Sequence, residues 1–215
     1  MIRGWMLIGA PPPAKPARRR ARRAAKSPGP ANTLIVMARA PALGRGKRRL
    51  AAELGEAQAL RIARGLLTRT LKIARDPRWR TELRVTPDRA RSPLFPRKLP
   101  RKPQGGGDLG ARMARALKPH RRAAIVGTDC PGASRREIAR AFRALQRNAF
   151  AVGPAEDGGF WILAARSGKA AAALMRGVRW SSAHTLDDVI GRMARMPAEL
   201  ATLRDIDTAA DWRGR

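Results

Sequence analysis

The chain carries 46 lysines and arginines against only 16 acidic residues, so the places where its acids gather are informative. Three gatherings stand at the ends of apolar runs: Asp129, the pair Glu156 and Asp157, and the pair Asp205 and Asp207. A cationic feature accompanies them. The apolar run 34–38 opens into a loop holding Pro41, Gly44, Arg45, Gly46, Lys47 and Arg49. Glycines let a backbone approach a phosphate closely, amides at the start of a helix point at it, and Lys47 and Arg49 neutralise its charge. Carboxylates beside such a cradle repel a polyanion unless a divalent cation bridges them, and Mg²⁺ is usually held by one or two carboxylates together with substrate phosphates. A nucleotide diphosphate with Mg²⁺ or Mn²⁺ is therefore the ligand that these residue types suit. The glycine spacing alone matches neither the Walker pattern nor the dinucleotide fingerprint. Any one of the acids has an ordinary alternative use in a turn or cap; three gatherings at strand ends make a site the better account.

The elements that must position these groups alternate between strand-like and helix-like patterns, which predicts an α/β fold: a mostly parallel, mixed sheet flanked by helices in three layers. Strands are expected over 33–38, 82–86, 123–126, 150–153 and 160–164. Helical spacing runs over 56–74, where Leu60, Ala63, Leu67 and Leu71 share a face. Asp108 reads as the cap of a helix carrying Leu109, Met113, Ala116 and Leu117, and Ser134 with Glu137 forms a capping-box pattern before Ile138, Ala141, Phe142 and Leu145. Between 87 and 104 the chain is rich in proline and reads as a loop; a helix is expected near 186–195. In open α/β sheets ligands sit beyond the C-terminal ends of the strands, which is where the acids fall.

With 215 residues the chain fits one domain over 33–215 and an appendage over 1–32. That appendage holds eight cations and no acid among its first 30 residues, with many Pro and Ala, and reads as a disordered basic arm. The formal net charge of +30 favours anionic partners without fixing a fold. Nucleic-acid binding through the arm is an alternative reading, but aromatic residues are few, no nucleic-acid-binding motif is present, and the strand-end acids would repel a polyanion. A single cysteine, Cys130, excludes an internal disulfide framework and fits a reducing, cytoplasmic compartment. No stretch approaches the roughly 20 apolar residues that span a bilayer. Cys130 is a poor nucleophile beside a carboxylate. His120 is expected at the surface, His184 at a helix start, Trp161 in the core and Trp180 on a pocket wall.

Six stretches in order carry a resemblance: Ala40-Pro-Ala-Leu-Gly-Arg-Gly-Lys-Arg-Arg-Leu50, Gln104-Gly-Gly-Gly-Asp-Leu-Gly-Ala-Arg-Met113, Gly127-Thr-Asp-Cys-Pro131, Gly153-Pro-Ala-Glu-Asp-Gly-Gly-Phe-Trp161, Val178-Arg-Trp-Ser-Ser182 and Asp205-Ile-Asp-Thr208. Together they resemble a bacterial family of glycosyltransferase-labelled proteins, domain of unknown function 2064, which has the GT-A nucleotide-diphospho-sugar transferase fold and is similar to phospholactate guanylyltransferases. The resemblance implies a sugar-nucleotide-dependent glycosyltransferase, with nucleotidyl transfer and pyrophosphate release as the alternative, acting on an acceptor that the sequence leaves open. It implies nucleotide contacts from Ala38, Pro41, Gly44, Arg45, Lys47, Arg49 and Thr128. Asp129 stands at the metal-binding carboxylate, with Asp207 as the second metal ligand. Asp129, Glu156 and Asp157 take the catalytic positions, and Gly158, Gly159 and Trp180 the substrate side. Arg48 stands where a small hydroxyl residue is expected, Gly46 replaces an apolar residue, and Asp129 lacks the second acid of an Asp-x-Asp motif.

Overall fold

The computed structural model describes residues 31–214, and the apolar runs become strands. These are β1 (Asn32–Arg39), β2 (Arg80–Thr86), β3 (Arg101–Pro103), β4 (Arg122–Val126), β5 (Phe150–Pro154), β6 (Phe160–Ala165) and β7 (Ala198–Glu199). They form one seven-stranded sheet in the order β3-β2-β1-β4-β6-β5-β7. The strand β6 runs antiparallel to both neighbours, whereas the other pairings are parallel. Mixed, mostly parallel pairing is thus the observed architecture. The arm expected over 1–32 lies outside the described residues except for Ala31 and Asn32, and Asn32 already pairs with Arg122 in the sheet.

Successive side chains of a strand point to opposite faces, so each buried strand supplies two cores. On one face Leu34, Val36, Leu83, Val85, Ala124 and Ile162 meet α2 (Glu56–Ala74) and α4 (Arg135–Ala144) through Leu67, Leu71, Ile138 and Phe142. On the other face Ile35, Ile125, Val152 and Leu163 meet α3 (Leu109–Leu117), α5 (Gly168–Leu174) and α6 (Thr185–Ile190). A third cluster joins α1 (Arg48–Leu54) and the start of α2 to the C-terminal segment, packing Leu50, Ile62 and Leu66 around Ile206 just before α7 (Ala209–Arg213). That small cluster matters most for the site, because it fixes the β1–α1 loop against the tail.

The caps fall where the sequence places them, although the Ser134 box is only half formed, because the Glu137 carboxylate pairs with Arg140 instead of the Ser134 amide. Asp108 accepts from the Ala111 amide and Ser134 from the Glu137 amide, each satisfying a helix-start N–H. Beyond the short elements α1, α5, β7 and α7, which the sequence reading did not place, two segments differ from expectation. The helix expected over 186–195 stops at Ile190, where Gly191 forms the C-cap. Inside the proline-rich segment Arg101–Pro103 pairs with β2 as an edge strand, a position where a proline's missing N–H costs the sheet nothing.

Candidate functional site

The loop after β1 turns sharply. The Arg45 amide donates to the Ala42 carbonyl over 3.1 Å, and Gly46 has φ 80°, a left-handed conformation that glycine adopts without a Cβ penalty. Lys47 follows with φ 49° as the N-cap residue of α1. Its ammonium donates to Asp129 Oδ1 at 2.8 Å, to Asp207 Oδ1 at 2.9 Å and to the Ile206 carbonyl. The lysine side chain is 10% exposed, while the two carboxylates are 48% and 46% exposed. Burial alone would lower the Lys47 pKa, but the Asp129 and Asp207 carboxylates outweigh it and hold it above the ordinary value. The Ile206 amide donates to the Asp129 carbonyl over 3.0 Å, which ties the tail to the end of β4. Three segments far apart in sequence thereby meet at one cation.

The surroundings are acidic. Burial first, then the Asp157 and Asp207 carboxylates, push the Asp205 carboxyl up to about 6. The Cys130 thiol is pushed far above its usual range by burial and then by Asp205, Asp129 and Asp157, so it stays a neutral, inert thiol. Glu156 is paired with Arg204 Nε at 2.8 Å. Asp157 Oδ1 accepts from the Gly159 amide at 2.9 Å, shaping the turn between β5 and β6. At Gly158, with φ 83°, the Ala183 carbonyl lies where a Cβ would stand, and the Gly158 carbonyl accepts from Leu186. Only glycine fits that contact. The turn and the loop leading into α6 therefore dock tightly.

That loop is itself built by the Val178–Ser182 stretch. Arg179 donates through Nε and Nη2 to the two oxygens of Asp188, and the Arg179 carbonyl accepts from Ser182 Oγ and Thr185 Oγ1. Trp180 lies half-buried over Gly110, against the core on the α3 side. His184 is exposed at the start of α6, and Trp161 is buried, donating to the Ala201 carbonyl over 2.9 Å. His120 is not a free surface residue as expected: its side chain is 17% exposed and sits 3.9 Å from Glu82.

The remaining candidates line the same end of the sheet. Ala38 is fully buried and offers its carbonyl to Gln104 Nε2; Thr128 precedes Asp129 and is partly exposed, as is Pro41. Gly44, Arg45 and Arg49 are exposed, and neither arginine has a side-chain hydrogen bond or ion pair among the described residues. Three contributors escaped the sequence reading. Gln104 is buried and bridges the carbonyls of Ala38 and Arg84, its signal being only its place before three glycines. Arg204 neutralises Glu156, and the Ile206 carbonyl holds Lys47; the first has an adjacent acid as its signal, the second has none.

Among the described residues, no three His, Cys, Asp or Glu side chains are gathered closely enough to hold a metal ion. The donor chemistry nevertheless fits one. Asp129 and Asp207 present hard carboxylate oxygens, both half-exposed, that already share a single positive charge. Two such carboxylates with phosphate oxygens are a usual set for Mg²⁺.

A family model described as an uncharacterized protein conserved in bacteria (DUF2064) matches residues 69–182. Among curated proteins none matches the chain. Among solved structures, a Desulfovibrio desulfuricans protein assigned to the nucleotide-diphospho-sugar transferases is similar at TM-score 0.78 and 24% identity, covering 85% of each chain. The 4-diphosphocytidyl-2C-methyl-D-erythritol synthase of Anaerococcus prevotii is similar at TM-score 0.56 and 12% identity, over 87% of this chain and 100% of that one. A Mycobacterium tuberculosis protein solved in complex with manganese is similar at TM-score 0.50 and 18% identity, over 86% and 97%. The fold is that of the nucleotide-diphospho-sugar transferases.

Proposed function

Because the chain belongs to the DUF2064 family of bacterial proteins, we propose that it is a nucleotide-binding transferase, and specifically a glycosyltransferase that uses a sugar nucleotide with a divalent cation. The observation that carries this reading is the meeting of Lys47, Asp129 and Asp207 beside a left-handed glycine loop at the C-terminal ends of β1 and β4. That combination of anion-binding backbone and cation-binding carboxylates suits a diphosphate, and ligands of open α/β sheets bind at this end.

In this mechanism the loop around Gly44 and Gly46 offers its backbone to the diphosphate. Arg45 and Arg49, exposed and uncommitted to other side chains among the described residues, neutralise its charge. Asp129 and Asp207 would hold Mg²⁺ or Mn²⁺, which when bound supplies electrostatic stabilisation of the leaving diphosphate. Preorganised charge of this kind is commonly the largest single contribution to catalysis. Asp157 is the better candidate for orienting an acceptor hydroxyl: its Oδ1 is held by the Gly159 amide, leaving Oδ2, whereas Glu156 is paired with Arg204. Gly158 keeps this turn pressed against the loop that carries Trp180 and Gly159 holds Asp157 through its amide, together forming the acceptor side.

Nucleotidyl transfer is the runner-up, favoured by the fold shared with the 4-diphosphocytidyl-2C-methyl-D-erythritol synthase. Both reactions use the same cradle. Incubation of the full chain with sugar nucleotides and separately with nucleoside triphosphates, each with Mn²⁺ and a bacterial small-molecule extract to supply the acceptor, distinguishes them: release of nucleoside diphosphate supports glycosyl transfer, release of pyrophosphate supports nucleotidyl transfer, and release of neither across both panels removes the proposal.

A further inference from the structure

A lysine ammonium has three N–H groups, and those of Lys47 are all taken, by Asp129, Asp207 and the Ile206 carbonyl. None is left for a phosphate. Conversely, the two carboxylates suited to a divalent cation already share a positive charge. We propose that Lys47 is an exchangeable internal counter-ion, which fills the cation position between Asp129 and Asp207 and trades those carboxylates for a phosphate when metal and nucleotide bind together. The proposal rests on the nucleotide-binding reading above.

The arrangement favours exchange over permanence. Both carboxylates are about half exposed, so an ion can reach them from solvent, whereas the Lys47 side chain is almost wholly covered. Asp157 and Asp205 add to the local negative charge, and among the described residues Lys47 is the one cation in contact with Asp129 and Asp207. Lys47 also holds the tail down, since the same ammonium binds the Ile206 carbonyl while the Ile206 amide binds Asp129. A metal ion arriving alone must expel an ammonium that then has no partner in a mostly buried place. A metal ion arriving with a diphosphate offers that ammonium an anion to move to. Metal and nucleotide binding are therefore coupled, and each raises the other's affinity by the same factor.

Two measurements test this on the full chain. Calorimetric titration with Mn²⁺ alone compares wild type with Lys47→Met, which keeps the stem and removes the charge. The competitor is then absent, and Mn²⁺ should bind the variant about tenfold or more tightly, within the usual range of coupling factors. Adding uridine or guanosine diphosphate should tighten Mn²⁺ binding to wild type by a larger factor than to the variant, since phosphate oxygens ligate the ion in both but only wild type also has an ammonium to rehouse. The second measurement needs no variant: labelling of Lys47 by an amine reagent, read by mass spectrometry, should be slow in the protein alone, faster with saturating Mn²⁺, and slow again once the diphosphate is added. Equal Mn²⁺ affinity in wild type and Lys47→Met, or Lys47 labelling indifferent to Mn²⁺, overturns the exchange. Failure of the diphosphates to bind any form would instead strike the nucleotide reading, while the Mn²⁺-only comparison would still decide whether Lys47 occupies the cation position.

Discussion

Two ionic clusters flank the central strands, and they differ in burial more than in composition. Glu82 and Arg84 on β2 are each only 6% exposed and form an ion pair through Arg84 Nε and Glu82 Oε1, with Lys102 Nζ 2.8 Å from Glu82 Oε2 and His120 at 3.9 Å. The Lys47 cluster instead joins one covered lysine to two half-exposed carboxylates. In the first cluster Glu82 and Arg84 are shut off from water, so each of these two charges depends on its partner, and Lys102 reaches solvent. In the second, solvent reaches the two carboxylates but not the covered ammonium. Desolvated ion pairs are costly to break, whereas exposed ones contribute little to stability and are free to exchange. The first cluster thus suits holding β2, β3 and the α3–β4 connection together, and the second suits binding.

The largest expected effect follows from that contrast. Glu82→Gln leaves Arg84 as a buried charge without its carboxylate, and should cost about 3–5 kcal/mol in urea denaturation, with nucleotide affinity unchanged under conditions where the protein stays folded. A loss under 1 kcal/mol would show that water reaches this cluster after all. Asp129→Asn should do the reverse. It should change stability by about 1 kcal/mol or less and lower transfer activity by about a hundredfold or more, the scale reported for losing one preorganised charge-stabilising group. Full activity in that variant would remove Asp129 from the site.

Arg49→Ala sharpens the comparison at the rim. A charge-assisted bond to phosphate contributes roughly 1.5 kcal/mol or more, so nucleotide affinity should fall by about tenfold, with the melting temperature unaffected because the side chain is exposed. The smallest effect concerns pH. Burial lowers the His120 pKa below its ordinary 6.5, outweighing the nearby Glu82 carboxylate. The folded protein therefore binds fewer protons at this position than the unfolded chain. Stability from neutral His120 is complete above pH 6.5 and is lost as the pH falls from there through the folded pKa. The raised Asp205 carboxyl acts in the opposite sense over this window, so the His120 contribution is read as a difference: between pH 7.5 and 5 the urea midpoint of wild type should fall relative to that of His120→Asn. An unchanged slope in the variant would place the titration elsewhere.

The sheet and its main helices were legible because local pattern dictates them. The continuous apolar run over 34–38 suits a strand buried on both faces, and the i, i+3, i+4 spacing in α2 and α4 leaves one arrangement that buries the apolar side chains. Asp129 and Asp207 stood out because acids are scarce in this chain. What escaped was contact between distant segments. Lys47 and Asp207 are 160 residues apart, and their meeting depends on Ile206 packing into the α1–α2 cluster, which no local period reports. His120 reads as a surface residue for the same reason: its neighbours Glu82 and Lys102 lie on other strands. The edge strand β3 was hidden by its prolines, since an edge position tolerates what a central strand forbids.

The central claim, that the half-exposed cluster is a metal-assisted nucleotide site, is tested most directly by calorimetric titration of nucleoside diphosphates in the presence of Mn²⁺, wild type beside Asp129→Asn. One saturable site in wild type, weakened at least tenfold in the variant and dependent on Mn²⁺, is the predicted result; a loss of about 1.4 kcal/mol corresponds to that factor. Binding of equal affinity in both proteins, or binding indifferent to Mn²⁺, would contradict it.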